Sequence, residues 1–147
     1  MNRKNVEEDI ILAKKYTHLI SYYFRKFKVN CESCHSKTEK QFHPYFNKLW
    51  NLIHSLPFKF KTEFNKNNLL KKEVIIFYNN FKYLPCHICR KHYNDYLKEF
   101  PIVKIKSNYD LQNWTIILHN NVNTRLNKRN YSYNFAKNKY INYIADI

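Results

Sequence analysis

Not one glycine occurs in the 147 residues of this chain. A G-x-G-x-x-G dinucleotide fingerprint and a Walker P-loop both need residues without a Cβ where the backbone meets phosphate, so Rossmann enzymes and P-loop NTPases are excluded. Tight β-hairpins turned by Asn-Gly or Gly-X lose their usual corners as well. What remains is a helical fold, and 44% hydrophobic residues, 18% of the chain being aromatic, suffice to bury the core of one compact unit.

Charge is the next constraint. The formal net charge is +15, which on a small domain points to a polyanion. The lysines, however, alternate with apolar residues as on solvated helix faces, and Lys, Asn, Ile, Tyr and Phe share A/T-rich codons, so the basic excess does not argue for nucleic-acid binding. The N-terminus, Met1 to Asp9, has no apolar core and carries the acids Glu7, Glu8 and Asp9, unlike a secretory or mitochondrial leader. The longest clearly apolar stretch, Val74 to Tyr78, is far short of a membrane span. The expectation is a protein of a reducing compartment, where cysteine pairs signify metal or redox chemistry more than structural disulfides.

Periodicity divides the chain into helices. Asn5 and Glu8 resemble a capping box, followed by Val6, Ile10, Ala13, Thr17, Ile20, Phe24 and Phe27 at alternating spacings of four and three, a helix over residues 6–28. It can dock on the domain or, with Lys14, Lys15, Arg25, Lys26 and Lys28 around it, lie on a membrane surface. A polar segment with Cys31 and Cys34 leads to His43-Pro44, which opens a second helix ended by Pro57. Further helices are predicted over 67–83, from Pro85 to Phe100, over 110–127 and over 132–143. The pattern is an all-α bundle with short connections, divided into residues 1–42 and 43–147.

The cysteines form two C-x-x-C pairs, Cys31 with Cys34 and Cys86 with Cys89. Four thiolates can make one zinc site in a helical module, which would suit a nucleic-acid adaptor, although two predicted helices separate the pairs. Alternatively, Pro85 starts a helix that puts Cys86 and Cys89 in its first turn, where backbone N–H groups and Arg90, Lys91 and His92 favour thiolate and lower the thiol pKa. That arrangement is a redox dithiol.

Trp50 and His54 lie four residues apart on one helix, and His119 and Asn123 repeat that spacing on another. The order W-x-x-x-H at Trp50–His54, P-C-x-x-C at Pro85–Cys89 and W-x-x-x-x-H-N-x-V-N-x-x-L at Trp114–Leu126 resembles the Erv/ALR family of FAD-linked sulfhydryl oxidases, particularly its short viral members. The likeness covers about residues 43 to 140.

The resemblance implies a four-helix core with a short C-terminal helix that holds FAD, usually as a homodimer, to which this chain adds an N-terminal amphipathic helix. It implies that Cys89 is the flavin-proximal cysteine and Cys86 the one that exchanges with a protein dithiol, the electrons passing to O₂ to give H₂O₂. It also implies a cofactor site drawn from Trp50, His54, Tyr83, His92, His119, Asn123, Lys128 and Tyr131, with no resident metal. The viral likeness implies action in the host cytoplasm or a viral factory during virion assembly, with packaging into the particle and a redox carrier or virion protein as substrate. Three departures stand out: Phe46 where relatives often have glycine, Leu84 where they often have tyrosine, and Ile116 where many cellular members place a disulfide-forming cysteine. Cys31 and Cys34 lie before the matched region, and three roles stay open for them: an electron-shuttling dithiol, a small metal site with His35, or a bystander pair.

Overall fold

The computed structural model describes residues 2–26 and 44–145, and among them every regular element is helical. Six α-helices follow in order: α1 (Arg3–Lys26), α2 (Pro44–Lys59), α3 (Asn68–Asn79), α4 (His87–Glu99), α5 (Asn108–Arg125) and α6 (Tyr133–Tyr140). Single 3₁₀ turns at Phe64–Lys66, Asn80–Tyr83 and Ile102–Lys104 join them. The expected arrangement of a four-helix core, a short last helix and an added first helix is present as α2–α5, α6 and α1.

The termini of these helices differ from the sequence expectations in instructive ways. The first helix is capped by Asn2, whose Oδ1 accepts from the Asn5 backbone N–H at 3.3 Å, so Asn5 lies inside the first turn and is not the cap. Pro57 does not stop the second helix, which continues to Lys59. A proline here leaves the carbonyl four residues back, that of Ile53, without its helical donor. The Tyr78 hydroxyl fills that place, donating to the Ile53 carbonyl at 2.8 Å. The third helix, predicted to reach Tyr83, ends at Asn79 and tightens into the 3₁₀ turn.

A chain without glycine must end its helices by other means. The fifth helix closes on Asn127, which takes φ 55°. The Lys128 N–H then reaches the Asn123 carbonyl at 2.7 Å and the Asn127 N–H reaches that of Thr124 at 3.2 Å, a Schellman closure with asparagine in the left-handed position.

One hydrophobic core runs through α1–α5. Tyr16 of α1 meets Phe77 of α3 edge-on at 5.8 Å, and Phe24 meets Phe81 at 5.9 Å. The core is rich in tyrosine, and its hydroxyls find partners: Tyr93 donates to the Tyr78 carbonyl at 2.6 Å, Tyr96 to that of Trp114 at 2.7 Å, and Tyr16 pairs with Ser55 at 2.7 Å. Burial pushes the Tyr16 phenol up to about 12, and those of Tyr78 and Tyr93 well above the usual range.

The first helix is fastened at its start by a charge. Asp9 is 2% exposed. Its carboxylate accepts from the backbone N–H groups of Lys61 (3.0 and 3.1 Å) and Thr62 (2.9 Å) and from the Thr62 hydroxyl (2.7 Å). Those donors follow the C-terminus of α2, so one acidic side chain joins α1 to the next helix. No helix among the described residues is long and apolar enough to cross a membrane.

Candidate active site

The site grows from two helices that face each other. Trp50 and His54 lie on α2, and His119 and Asn123 on α5, each pair one turn apart. Packing brings the Trp50 ring onto His119 with centroids 3.7 Å apart and planes 5° from parallel. His54 lies behind them, its ring stacked on Tyr140 of α6 at 4.6 Å. Tyr131, in the connection to α6, meets His119 edge-on at 4.7 Å.

The rings of Trp50, His119, Tyr131 and Tyr140 border a cavity of about 850 Å³, within the usual range for organic ligands. Trp50, Cys89, His92, His119, Asn123, Lys128 and Tyr131 all contribute to its wall. Two expected cofactor residues do not. His54 is fully buried and sits behind the aromatic wall, because its ring is enclosed between α2, α5 and α6. Tyr83 is 75% exposed and is not part of the cavity wall, the chain there having left the α3 helix for a 3₁₀ turn.

The Cys86–Cys89 pair stands at the start of α4. Cys86 is the N-cap residue, and its Sγ accepts from the Cys89 backbone N–H at 3.4 Å, so a sulfur occupies the position of a capping oxygen. The expected first-turn placement of both cysteines is therefore correct to within one residue. Their exposure differs. Cys89 is half-buried and lines the cavity, whereas Cys86 is fully buried. The segment before Cys86 is tied down by Arg90, whose Nη1 donates to the Leu84 carbonyl. On the cavity wall, desolvation lowers the Arg125 guanidinium below its ordinary value, and negative charge on the nearby Cys89 sulfur offsets part of that lowering.

The histidines are strongly perturbed. Burial drives His54 well below its ordinary value, with repulsion from His119 and Lys139 acting the same way. Burial likewise lowers His119 to about 3, again with Lys139 and Lys128 opposing a positive charge. Both rings are therefore neutral at pH 7.

Several members of this site carried no usable sequence signal. Asn120 was visible within the H-N motif, but its task emerges only from the fold: Oδ1 accepts from the Tyr131 N–H at 2.7 Å while Nδ2 donates to the Tyr131 carbonyl at 3.0 Å. This two-point clamp fixes Tyr131 against His119. Asn123 likewise braces the next loop, donating to the Arg129 carbonyl at 3.1 Å while its own carbonyl holds Lys128. Tyr140, Arg125, Arg129 and Lys139 also reach the cavity wall. Cys31, Cys34 and His35 lie outside the described residues. Among those that are described, no three His, Cys, Asp or Glu side chains converge as metal ligands.

Comparison with known proteins gives a consistent picture. A sequence model of the Erv1/Alr family matches residues 47–141. An FAD-linked sulfhydryl oxidase of African swine fever virus, from a Kenyan pig isolate, is 38% identical over 94 residues, covering 63% of this chain and 76% of the relative. The protein of the same name from a Malawi tick isolate is 44% identical over 71 residues, 48% of this chain and 59% of the relative. The mitochondrial FAD-linked sulfhydryl oxidase ERV1 of Saccharomyces cerevisiae is 28% identical over 92 residues, 62% of this chain and 47% of the relative. No solved structure gives a significant match.

Proposed function

The chain belongs to the Erv1/Alr family, and from that premise we propose that it is an FAD-dependent sulfhydryl oxidase that makes disulfides in protein substrates. The observation that carries this reading is the placement of Cys89, with Cys86 behind it at a helix N-terminus, on the wall of the aromatic cavity built by Trp50 and His119.

The residues present fit the cofactor. Flat aromatic surfaces suit ring systems, the cations Arg125, Lys128, Arg129 and Lys139 on the same wall suit phosphates, and His119 Nε2 is a polar atom with no protein partner among the described residues. Trp50, His119 and Tyr131 would hold the rings, and Lys128, presented by the turn at Asn127, would approach the phosphates. His92, one turn after Cys89, would border the same space. His54 and Tyr83 would act from outside the cavity, the first by supporting His119. When bound, FAD would accept an electron pair from the dithiol and pass it to O₂.

The protein's own residues account for the thiol steps. A substrate thiolate attacks Cys86 of the oxidised Cys86–Cys89 pair, forming a mixed disulfide and releasing Cys89 as thiolate. The second substrate thiol then displaces Cys86, which leaves reduced. The net change is two thiols and O₂ converted to a disulfide and H₂O₂. Arg125 stabilises the negative sulfur of Cys89, and the α4 N-terminus does the same through its N–H groups. Because Cys86 is buried, exchange requires the 84–86 segment to open.

Residues 43–147 form the FAD-binding unit and residues 1–42 its N-terminal extension, with Cys31 and Cys34 as a shuttle dithiol. A homodimer is the working form. The viral relatives support a viral origin and action in the host cytoplasm or a viral factory on a redox carrier or virion protein. The four-thiolate zinc module is disfavoured because it leaves the stacked Trp50 and His119 without a purpose.

The test is the visible spectrum of the purified protein before and after anaerobic dithiothreitol, with a Cys86→Ser variant alongside. Flavin absorption that bleaches in the wild type and far more slowly in the variant is expected. A colourless protein with stoichiometric zinc would overturn the assignment.

A further inference from the structure

The hydrogen bonds behind the aromatic wall form a chain whose proton positions can be worked out. The Thr115 hydroxyl lies 2.7 Å from the Gln112 carbonyl, which can only accept, so the single hydroxyl proton is committed there. His54 Nδ1 lies 3.2 Å from the same Thr115 oxygen. The oxygen has no proton left to offer, so His54 Nδ1 must carry the hydrogen. His54 is fully buried and neutral, so its Nε2 is bare. That nitrogen sits 2.7 Å from His119 Nδ1, and a contact so short between two ring nitrogens needs one proton between them, which His119 Nδ1 supplies. His119, also neutral, is left with an unprotonated Nε2. It is the one ring nitrogen of the pair without a protein partner among the described residues, on a side chain that lines the cavity.

We propose that Thr115 is a positioning residue: tethered to Gln112, it fixes both histidines as Nδ1–H tautomers, so that His119 Nε2 meets the cavity as a hydrogen-bond acceptor for an N–H or O–H of the bound ligand. The second tautomer of the pair has the opposite consequence. If both protons moved, His54 Nε2–H would donate to His119 Nδ1, and His119 would point an N–H donor at the cavity. Nothing in the Trp50–His119 stack or the His54–Tyr140 stack distinguishes these two states, because both keep the same ring positions. Only the hydroxyl of Thr115 does. The accepting carbonyl is a main-chain group of α5, three residues before Thr115, so the helix itself fixes the anchor of the chain.

This inference rests on the proposed flavin site for the identity of the ligand, but not for the proton positions. The two can be tested separately on the purified protein, with its histidines labelled with ¹⁵N and assigned through His54→Asn and His119→Asn. Long-range proton–nitrogen correlation at neutral pH should find a bare Nε2 and a protonated Nδ1 at His119 in the wild type and in Thr115→Ser. In Thr115→Val, which keeps the side-chain shape and removes the hydroxyl, His119 Nε2 should carry the proton in at least half of the molecules. FAD should then bind Thr115→Val at least about twofold more weakly than Thr115→Ser, the reciprocal of the fraction of molecules left with a bare Nε2. A protonated Nε2 in the wild type, or a Thr115→Val variant with unchanged tautomers, would overturn the proposal. A loss of FAD affinity shared equally by Ser and Val would do so too, since packing and not the hydroxyl would be responsible. A wild-type protein that binds no FAD yet has the stated tautomers would instead sink the flavin reading and leave the proton assignment in place.

Discussion

At the scale of residues, the buried histidines make stability depend on pH in a definite direction. An unfolded histidine takes up a proton below about 6.5, whereas folded His119 does so only near 3 and His54 well below its ordinary value. Between those limits the unfolded chain binds more protons, so stability is complete above 6.5 and falls as the pH drops towards 3. Across that window His119 contributes up to about 1.4 kcal/mol per pH unit, and His54 acts in the same direction. Replacing His54 with Asn should flatten the fall in Tm measured across a pH series; an equally steep wild-type and variant profile would contradict the assignment. A second residue-scale consequence concerns Arg90. Its hydrogen bond to the Leu84 carbonyl ties down the segment that leads into buried Cys86. Alkylation of the reduced native protein, followed by mass spectrometry, should label Cys89 first, and Arg90→Ala should speed the labelling of Cys86 several-fold while leaving Cys89 nearly unchanged. Equal rates at both sulfurs in the wild type would show that the clasp does not control access.

At the scale of elements, the sequence was most readable where a helix declares itself by its own periodicity. All six helices are found, and Ser107, Ser132 and Asn67 cap three of them, with the N–H three residues on donating to the side chain. It was least readable where a distant group decides the outcome. Pro57 reads as a stop until Tyr78 supplies a donor to the carbonyl it leaves bare. Asp9 reads as one more surface acid until Lys61 and Thr62 fold onto it. The spacing that puts His54 on one helix face with Trp50 gives no depth, and the structure sets its ring behind the cavity wall. Asp9 also carries a prediction. Asp9→Ala strands two backbone donors in a part-buried place and should lower the unfolding free energy by about 2–4 kcal/mol in urea, Asp9→Asn by less because the amide oxygen can still accept. A loss below about 0.5 kcal/mol for the alanine variant would mean that water satisfies those donors.

At the scale of the molecule, the question is whether the N-terminal helix is an appendage or part of the fold. Ala13, Tyr16, Leu19, Ile20 and Tyr23 of α1 belong to the same buried cluster as Phe77 of α3 and Leu111 of α5. Its central amides should therefore exchange with solvent only in the opening event that also releases those of α3 and α5, giving one shared free energy in native-state hydrogen exchange. Central α1 amides that exchange by a separate, lower-energy opening would identify a helix that detaches on its own. This unity matters for function, since α2 carries Trp50 and His54 on the side that faces α5 and is fastened to α1 through Asp9.

The two tryptophans divide the optical signal of the molecule between them. Trp114 lies 5% exposed in the core, its Nε1–H donating to the Phe100 carbonyl at 2.9 Å, while Trp50 stands half-buried on the cavity wall against His119. A ligand that enters the cavity touches one indole directly and reaches the other only across Tyr93 and Tyr96, so a Trp114→Phe protein reports contact at the cavity wall. Titrated with FAD, its fluorescence should fall in a saturable curve, and Trp50→Phe should show a shallower fall, because Trp114 can pass energy to the flavin but does not stack against it.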